Sequence, residues 1–366
     1  MVKVLFDHQT FSLQRYGGIS RYFFNLYNAQ QTFPEFKAEI SLLYSRNYYT
    51  KDIKAPLNNF LGEWLLNEQK KNYKWNKKYS KFCISKNNFD VFHPTYYEPY
   101  FLKKLKKPYV LTIHDMIHEL MPDGFKTDDV DAKNKRICAE NAAHIIAISE
   151  TTKKDIKNIL GTDDDKISVI HHGYNNLNYS ENSNPKPENN SYLLFVGERS
   201  NYKNFINFIT GIQPILKKDK QIKVICAGGG SFTATETNFF AKLGVADSLT
   251  QISATDAQLS DLYKHAIAFV FPSLAEGFGL PILEAFQNNC PMIASDIACF
   301  NEIAGDAALY FNPLDPADIL KQTEQLLNNQ PLRDELVSKG LKRLSHFSME
   351  KCISKTLDIY KSLAGS

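Results

Sequence analysis

The stretch "PSLAEGFGLPILEAF", residues 272–286, holds two carboxylates, Glu276 and Glu284, with seven residues between them. Gly277, Gly279 and Pro281 lie in that interval. The apolar run "AFVFPS" before it reads as a buried strand, and Pro281 suits the first turn of a helix, where its missing N–H costs nothing. Glu276 then falls in the loop and Glu284 in the first turns of the helix. The glycines leave backbone amides open to a ligand, and the helix N-terminus adds partial positive charge. Such a stretch offers carboxylates to hydroxyl groups and amides to phosphate or sugar oxygens, the groups that a sugar nucleotide carries. Glu284 alone is more simply read as a helix cap; the whole string carries the functional reading.

Other clusters can serve the same chemistry. "FVGERSNYKN", residues 195–204, follows a strand and puts two cations, Arg199 and Lys203, at its C-terminal end after the turn at Gly197. Arginine grips phosphate oxygens as a bidentate fork and lysine acts as a point charge. In isolation they read as solvated loop bases. "RYGGISRY" sets Gly17 and Gly18 before a helix, a turn that lets backbone come close to phosphate. Gly-Gly turns are common, and the absence of G-x-G-x-x-G disfavours a dehydrogenase-type dinucleotide site. "AGGG", residues 227–230, is equally unspecific alone. In "TIHDMIH", His114 and Asp115 close a strand, where they can orient a hydroxyl or stabilise developing charge. His118 lies four residues on without an H-E-x-x-H pattern, and reads as a core or loop histidine rather than a metal ligand. A basic aromatic belt holds Trp64, Trp75 and six lysines between Lys70 and Lys81, with four more from Lys103 to Lys107. It suits either an anionic membrane surface or a solvated helix face.

The elements that must position these groups follow from the rest of the chain. With 366 residues, two domains are expected. A net charge of +3 and no recognition motif argue against nucleic acid. Six cysteines without a C-x-x-C pair read as buried thiols of a reducing compartment. The N-terminus "MVKVLFDHQTF" lacks a signal-peptide pattern, and no run approaches the roughly 20 apolar residues that span a bilayer. The expected location is therefore cytoplasmic, with a peripheral contact on the inner face of the membrane.

Short apolar runs ("VKVLFD", "AEISLLY", "DVFHP", "YVLTIHD", "HIIAIS", "ISVIHHG") alternate with helix-like segments over 19–29, 127–142 and 150–160. A second series ("SYLLFVG", "IKVICAGGG", "AFVFPS", "PMIAS", "AALYF") alternates with helices over 204–216 and 257–266. The pattern predicts an α/β chain of two Rossmann-like domains with parallel sheets facing a central cleft. Their extents are 1–175 and 191–347, with an Asn-, Ser- and Pro-rich linker over 176–190 and a terminal helix over 348–366.

Together these motifs resemble glycosyltransferase family 4 on the GT-B fold. The resemblance rests most specifically on "EGFGLPILE", with "VGERSNYKN", "SDLYKHAIAFVFPS", "EIAGDAALYFNP", "GGISRY", "FHPTYY", "TIHD" and "AISETTKKDI" in the family's order. Within the family the chain looks most like bacterial mannosyltransferases of polysaccharide assembly. The resemblance implies a retaining transferase that takes a nucleotide-diphosphate sugar, with GDP-mannose first and UDP-sugars next, and no cofactor or catalytic metal. Its acceptor is a saccharide or a lipid-linked saccharide on the first domain; the donor belongs to the second. Arg199 and Lys203 would neutralise the leaving diphosphate. Glu276 and the amides of Gly277, Phe278, Gly279 and Leu280 would hold the donor sugar and distal phosphate. Glu284 would accept from the ribose hydroxyls, Gly17 and Gly18 would approach the diphosphate, and His114 would lie near the donor sugar. The terminal helix would cross back to the first domain. The chain departs from the usual pattern in having Glu198 directly after Gly197 and Arg199 next. A nucleotide-sugar epimerase and an inactive scaffold of a polysaccharide assembly complex are the competing readings.

Overall fold

The computed structural model describes residues 1–124, 129–174, 191–199 and 201–365; the expected linker over 176–190 and the start of the helix expected from 127 lie outside them. The chain divides into two compact units, Met1–His172 with Met349–Ser366, and Gly173–Ser348.

In the first unit, β1 (Val2–Phe6), β2 (Phe36–Ile40) and β3 (Val91–His93) form a parallel ladder in the order β2-β1-β3. Three further parallel strands, β4 (Val110–Ile113), β5 (His144–Ala147) and β6 (Ile167–Val169), follow in the order β4-β5-β6. A parallel bridge between Phe92 and Tyr109 joins the ladders, and the Phe92 amide donates to the Pro108 carbonyl at 3.0 Å. Strands such as β4 are buried along their whole length, as expected of a parallel sheet covered on both faces. The helix Met349–Ala364 packs on this sheet: Cys352, Leu357 and Tyr360 share one core with Val4, Phe6 and Val91. A buried imidazole fastens it, since His93 Nδ1 lies 2.6 Å from Tyr360 Oη and His93 Nε2 lies 3.0 Å from Thr112 Oγ1.

The second unit is one six-stranded parallel sheet. Its strands are β7 (Tyr192–Val196), β8 (Lys223–Ala227), β9 (Leu249–Ile252), β10 (Ala268–Phe271), β11 (Met292–Ser295) and β12 (Leu309–Phe311), in the order β12-β11-β10-β7-β8-β9. The chain runs outward from β7 to β9, returns to β10 beside β7, and then runs outward the other way. The C-terminal ends of β7 and β10 therefore flank the point where the winding reverses, the place where open α/β sheets bind ligands.

The first unit buries His8, His93, His114 and His172. Burial pushes His8, His93 and His114 down to about 3 from 6.5, and lowers His172 well below its ordinary value. Folded, these rings stay neutral where the unfolded chain takes up protons, so stability is present above the unfolded value and is lost as pH falls below it. We expect urea denaturation, followed by the two tryptophans of this unit, to show a loss of up to roughly 2 kcal/mol per ring between pH 7.5 and pH 5. A flat profile over that span contradicts neutral burial.

Candidate active site

The groups that follow β7 and β10 meet at the winding reversal of the second unit. Lys203 Nζ lies 2.5 Å from Glu276 Oε1, which also accepts from Ser273 Oγ at 2.8 Å. The pair is mostly buried, with side chains 15% and 12% exposed. The ammonium lies over the rings of Tyr202 and Phe271, at 5.2 and 5.4 Å from their centroids. The Leu274 amide donates to the Tyr202 carbonyl at 2.7 Å, so the two loops are tied as well as their charges. Asn204, left-handed at φ 57°, turns the chain into the helix Phe205–Lys218 and donates to the Pro313 carbonyl at 2.8 Å. Charges withdrawn this far from water attract each other strongly, and removing one partner strands the other.

Beyond Glu276 the chain enters the helix Leu280–Gln287, with Pro281 in its first turn. Gly279 is left-handed at φ 88°, and a Cβ there would lie 3.0 Å from Ile282 and 3.2 Å from both Phe271 and Phe300. Backbone conformation and packing both demand glycine. Phe278 is buried edge-on against Phe347, with centroids 5.8 Å apart. The loop from Gly277 to Gly279 is thus anchored against apolar side chains, with its backbone leading to the helix tip. Glu284 lies on the second turn, where Tyr263 Oη donates to its Oε2 at 3.4 Å.

Arg199 has a different environment from Lys203. Its Nε donates to Glu236 Oε1 at 2.7 Å, and its guanidinium donates to the carbonyls of Gly228, Gly230 and Ser231 at 3.3, 3.0 and 3.2 Å. The side chain is 4% exposed and stacks over Phe232 at 4.8 Å. Glu236 in turn accepts from the Thr233 amide at 2.8 Å and completes a capping box at the helix Ala234–Leu243. Gly229 is left-handed at φ 69°, and a Cβ there would lie 2.7 Å from Arg199 Nη1. The guanidinium therefore staples the loop after β8 to the loop after β7, while Lys203 faces Glu276.

The remaining candidates sit in the first unit. Gly17 caps the helix Gly18–Asn28 without a side-chain bond, and a Cβ on Gly17 would lie 2.7 Å from Gln14 Oε1. His114 follows β4, a buried residue whose ring lies edge-on to Tyr22 at 5.5 Å and stacked on His172 at 5.7 Å. Among the described residues its Nε2 has no hydrogen-bond partner. His118 has a structural partner: its Nδ1 lies 2.6 Å from Asp129 Oδ2, and Asp129 caps the helix Val130–Asn141. The Asp115 turn is held from below by the buried Lys135, which donates to the Asp115 carbonyl and to Glu119, both at 2.9 Å. Among the described residues no cluster of His, Cys, Asp or Glu forms a metal-ligand set.

Sequence reading missed the partners that hold these groups. The Thr233–Glu236 capping box was legible as T-x-x-E, but not its tie to Arg199. Ser273 reaches Glu276 within the loop after β10, three residues away, whereas Tyr263 reaches Glu284 only because the helices Asp256–His265 and Leu280–Gln287 pack together.

Two Rossmann-like units, each a parallel sheet with groups gathered at strand C-termini, define the GT-B class. The family model described as "Glycosyltransferase Family 4" matches residues 16–176, and the one described as "Glycosyl transferases group 1" matches residues 179–343. The chain belongs to these glycosyltransferases. It is 30% identical over 220 residues to the O-antigen chain mannosyltransferase RfbU of Salmonella typhimurium, covering 59% of this chain and 61% of RfbU. It is 25% identical over 292 residues to O-antigen chain mannosyltransferase B of Escherichia coli, covering 75% of this chain and 74% of that protein. The crystal structure of Anabaena HepE with UDP-glucose matches 99% of this chain and 100% of its own, with a TM-score of 0.73 at 14% identity.

Replacing Gly279 by Ala forces a side chain into the left-handed turn against three packed groups. We expect the midpoint of urea unfolding to fall by the equivalent of roughly 1–3 kcal/mol. An unchanged midpoint contradicts the packing described for this turn.

Proposed function

We propose that the chain is a retaining hexosyltransferase. It moves a hexose from a nucleotide-diphosphate sugar, GDP-mannose first and UDP-sugars next, to a saccharide or lipid-linked acceptor in surface polysaccharide synthesis. The observation that carries this reading is the Lys203–Glu276 pair at the winding reversal, beside a helix tip. The mannosyltransferase relatives support the choice of sugar, and a fold neighbour solved with UDP-glucose supports the donor class. In this reading the second unit takes the donor and the first takes the acceptor.

The donor's diphosphate takes over the charge of Lys203, and Glu276, released from the ion pair, accepts from sugar hydroxyls. The amides of Gly277, Phe278, Gly279 and Leu280 receive the distal phosphate at the positive end of the helix. Glu284 accepts from the ribose hydroxyls. Arg199 holds the loops after β7 and β8 and adds its charge at short range. The family resemblance assigns Gly17 and Gly18 to the diphosphate and His114 to the donor sugar. The anomeric C–O bond breaks toward the diphosphate, and the acceptor oxygen attacks on the same face. Its proton passes to the departing phosphate oxygen. Negative charge grows on the leaving group, so a fixed cation and helix amides stabilise the transition state more than the ground state. The scheme uses no metal and no cofactor. Lys203→Ala should lower kcat by about 10²–10³-fold, with wild-type turnover unchanged in EDTA. Unchanged turnover in Lys203→Ala contradicts the assignment, and a product that is an altered free sugar nucleotide identifies an epimerase instead.

A membrane contact is the second part of the proposal. The helix Gln69–Lys86 docks through Asn72, Asn76, Ser80 and Ile84 and leaves Trp75 and Phe82 outside. Asn76 donates to the Tyr44 carbonyl at 2.7 Å and Ser80 lies 2.6 Å from Ser41. Trp75 and Phe82 are 44% and 53% exposed, with Lys78 and Lys86 over their rings, and the nearby Trp64 is 77% exposed. Among the described residues no helix is long and apolar enough to cross a membrane. This face suits an anionic lipid surface. We expect the chain to sediment with phosphatidylglycerol vesicles at low salt and the triple variant Lys70→Glu, Lys74→Glu, Lys78→Glu to stay in the supernatant. Equal sedimentation of both contradicts the contact.

A further inference from the structure

The loop from Gly277 to Gly279 has a single side chain, the ring of Phe278, so the place of its amides depends on what holds that ring. Phe278 is buried and meets Phe347 edge-on, with the planes at 88°. Phe347, itself buried, lies in no helix or strand. It follows the helix Gln330–Leu344 through a turn in which the His346 and Phe347 amides donate to the Arg343 and Leu344 carbonyls at 3.1 and 3.0 Å.

That turn is where the chain leaves the second unit, whose limits are Gly173 and Ser348. The two ends of the unit are paired there: the Tyr174 amide donates to the Phe347 carbonyl at 3.0 Å, and Tyr174 and Ser348 form a parallel bridge. Arg343 steadies the ring from the helix side. Its guanidinium lies 5.5 Å from the Phe347 centroid and donates to the Ile303 and Glu302 carbonyls at 2.9 and 2.5 Å. Those carbonyls end the helix Ala298–Ala304, which carries Phe300, one of the rings that Gly279 abuts. Gly340 lets the helix Gln330–Leu344 close on Phe286, since a Cβ there would lie 2.5 Å from that ring. The segment 340–347 therefore supports the helix Leu280–Gln287 at both ends, through Phe278 just before it and Phe286 in its last turn.

Among the described residues the Phe278–Phe347 pair lies outside the main core of this unit, which is built from side chains such as Phe195, Phe208 and Ile212. A ring contact set apart from that core contributes little to holding the sheet together and much to the place of the loop it anchors. We infer that Phe347 is a positioning residue: through Phe278 it holds the amides from Gly277 to Leu280 in register for a ligand and ties them to the paired ends of the unit. That the ligand is the donor's distal phosphate rests on the transferase reading; the mechanical tie rests on the contacts alone. Phe347 acts through Phe278 and not on substrate.

The test uses the full chain and reads the loop in two ways, by hydrogen exchange without ligand and by calorimetric titration of GDP and UDP. We expect Phe347→Leu to speed exchange of the amides from Gly277 to Leu280 severalfold and to weaken the better-bound nucleotide by about three- to tenfold. Phe278→Leu should act alike, and the double variant should lose no more than the stronger single one, because both substitutions break the same contact. Ile212→Val, a truncation in the core of the same unit, should leave loop exchange and affinity as in wild type. Phe347→Met keeps the test open if a thermal melt shows Phe347→Leu to be partly unfolded. Unchanged loop exchange in Phe347→Leu, equal acceleration by Ile212→Val, or full additivity in the double variant overturns the inference. Faster exchange with affinity unchanged, or with no nucleotide bound by wild type, keeps the positioning contact and sinks the loop's part in donor binding.

Discussion

The second unit is organised around a lysine held against a carboxylate at the ends of two adjacent parallel strands. Lys203 and Glu276 are far apart in sequence, and only the return of the chain from β9 to β10 beside β7 brings them to 2.5 Å. Both are mostly shielded from water, where opposite charges attract strongly, so each fixes the other. The surroundings serve that pair: Ser273 holds the carboxylate, Tyr202 and Phe271 bracket the ammonium, and the Leu274–Tyr202 backbone bond ties the loops. A cation that is fixed in place before the reaction has little reorganisation left to undergo when charge develops on a leaving group.

The two cations of the "ERSNYK" segment divide the work. Arg199 spends its planar donors on Glu236 and a row of carbonyls, which a lysine could not satisfy together. Lys203, a compact point charge, pairs with the Glu276 carboxylate. Glycine serves both sites in the same way: at Gly229 a side chain would strike Arg199, and at Gly279 it would strike the core beneath the helix tip. The buried imidazoles of the first unit are the counterpart there, with His93 bolting the terminal helix to β3 and β4.

Much of this was legible in the sequence. The alternation of apolar runs and helical patterns marked parallel α/β units, and the helix Glu150–Leu160 fell where its spacing put it, between the Ser149 cap and Gly161. Pro281 marked the helix start after Glu276, and His118 read as structural. Edge elements were lost: β9, "LTQI", is short, polar and only half buried, so it lacks the apolar signal of the central strands. The strand read in "AEISLLY" begins earlier, at Phe36, where Lys37 and Glu39 alternate outward. The helix Gln69–Lys86 hid its docking mode, because a buried column of Asn and Ser looks solvated in sequence. The tie between the loops after β1 and β3 was invisible for a similar reason: Asp7 and Gln9 reach Thr95 and Glu98 by long-range hydrogen bonds, not by spacing.

If Glu276 holds the site of a diphosphate oxygen on Lys203, the two must compete, and calorimetric titration of GDP and UDP into wild type, Lys203→Ala and Glu276→Gln measures that competition directly. The account predicts that Lys203→Ala weakens binding of the preferred nucleotide tenfold or more, while Glu276→Gln binds it at least as tightly as wild type. Equal weakening by both substitutions, or none by Lys203→Ala, would contradict it.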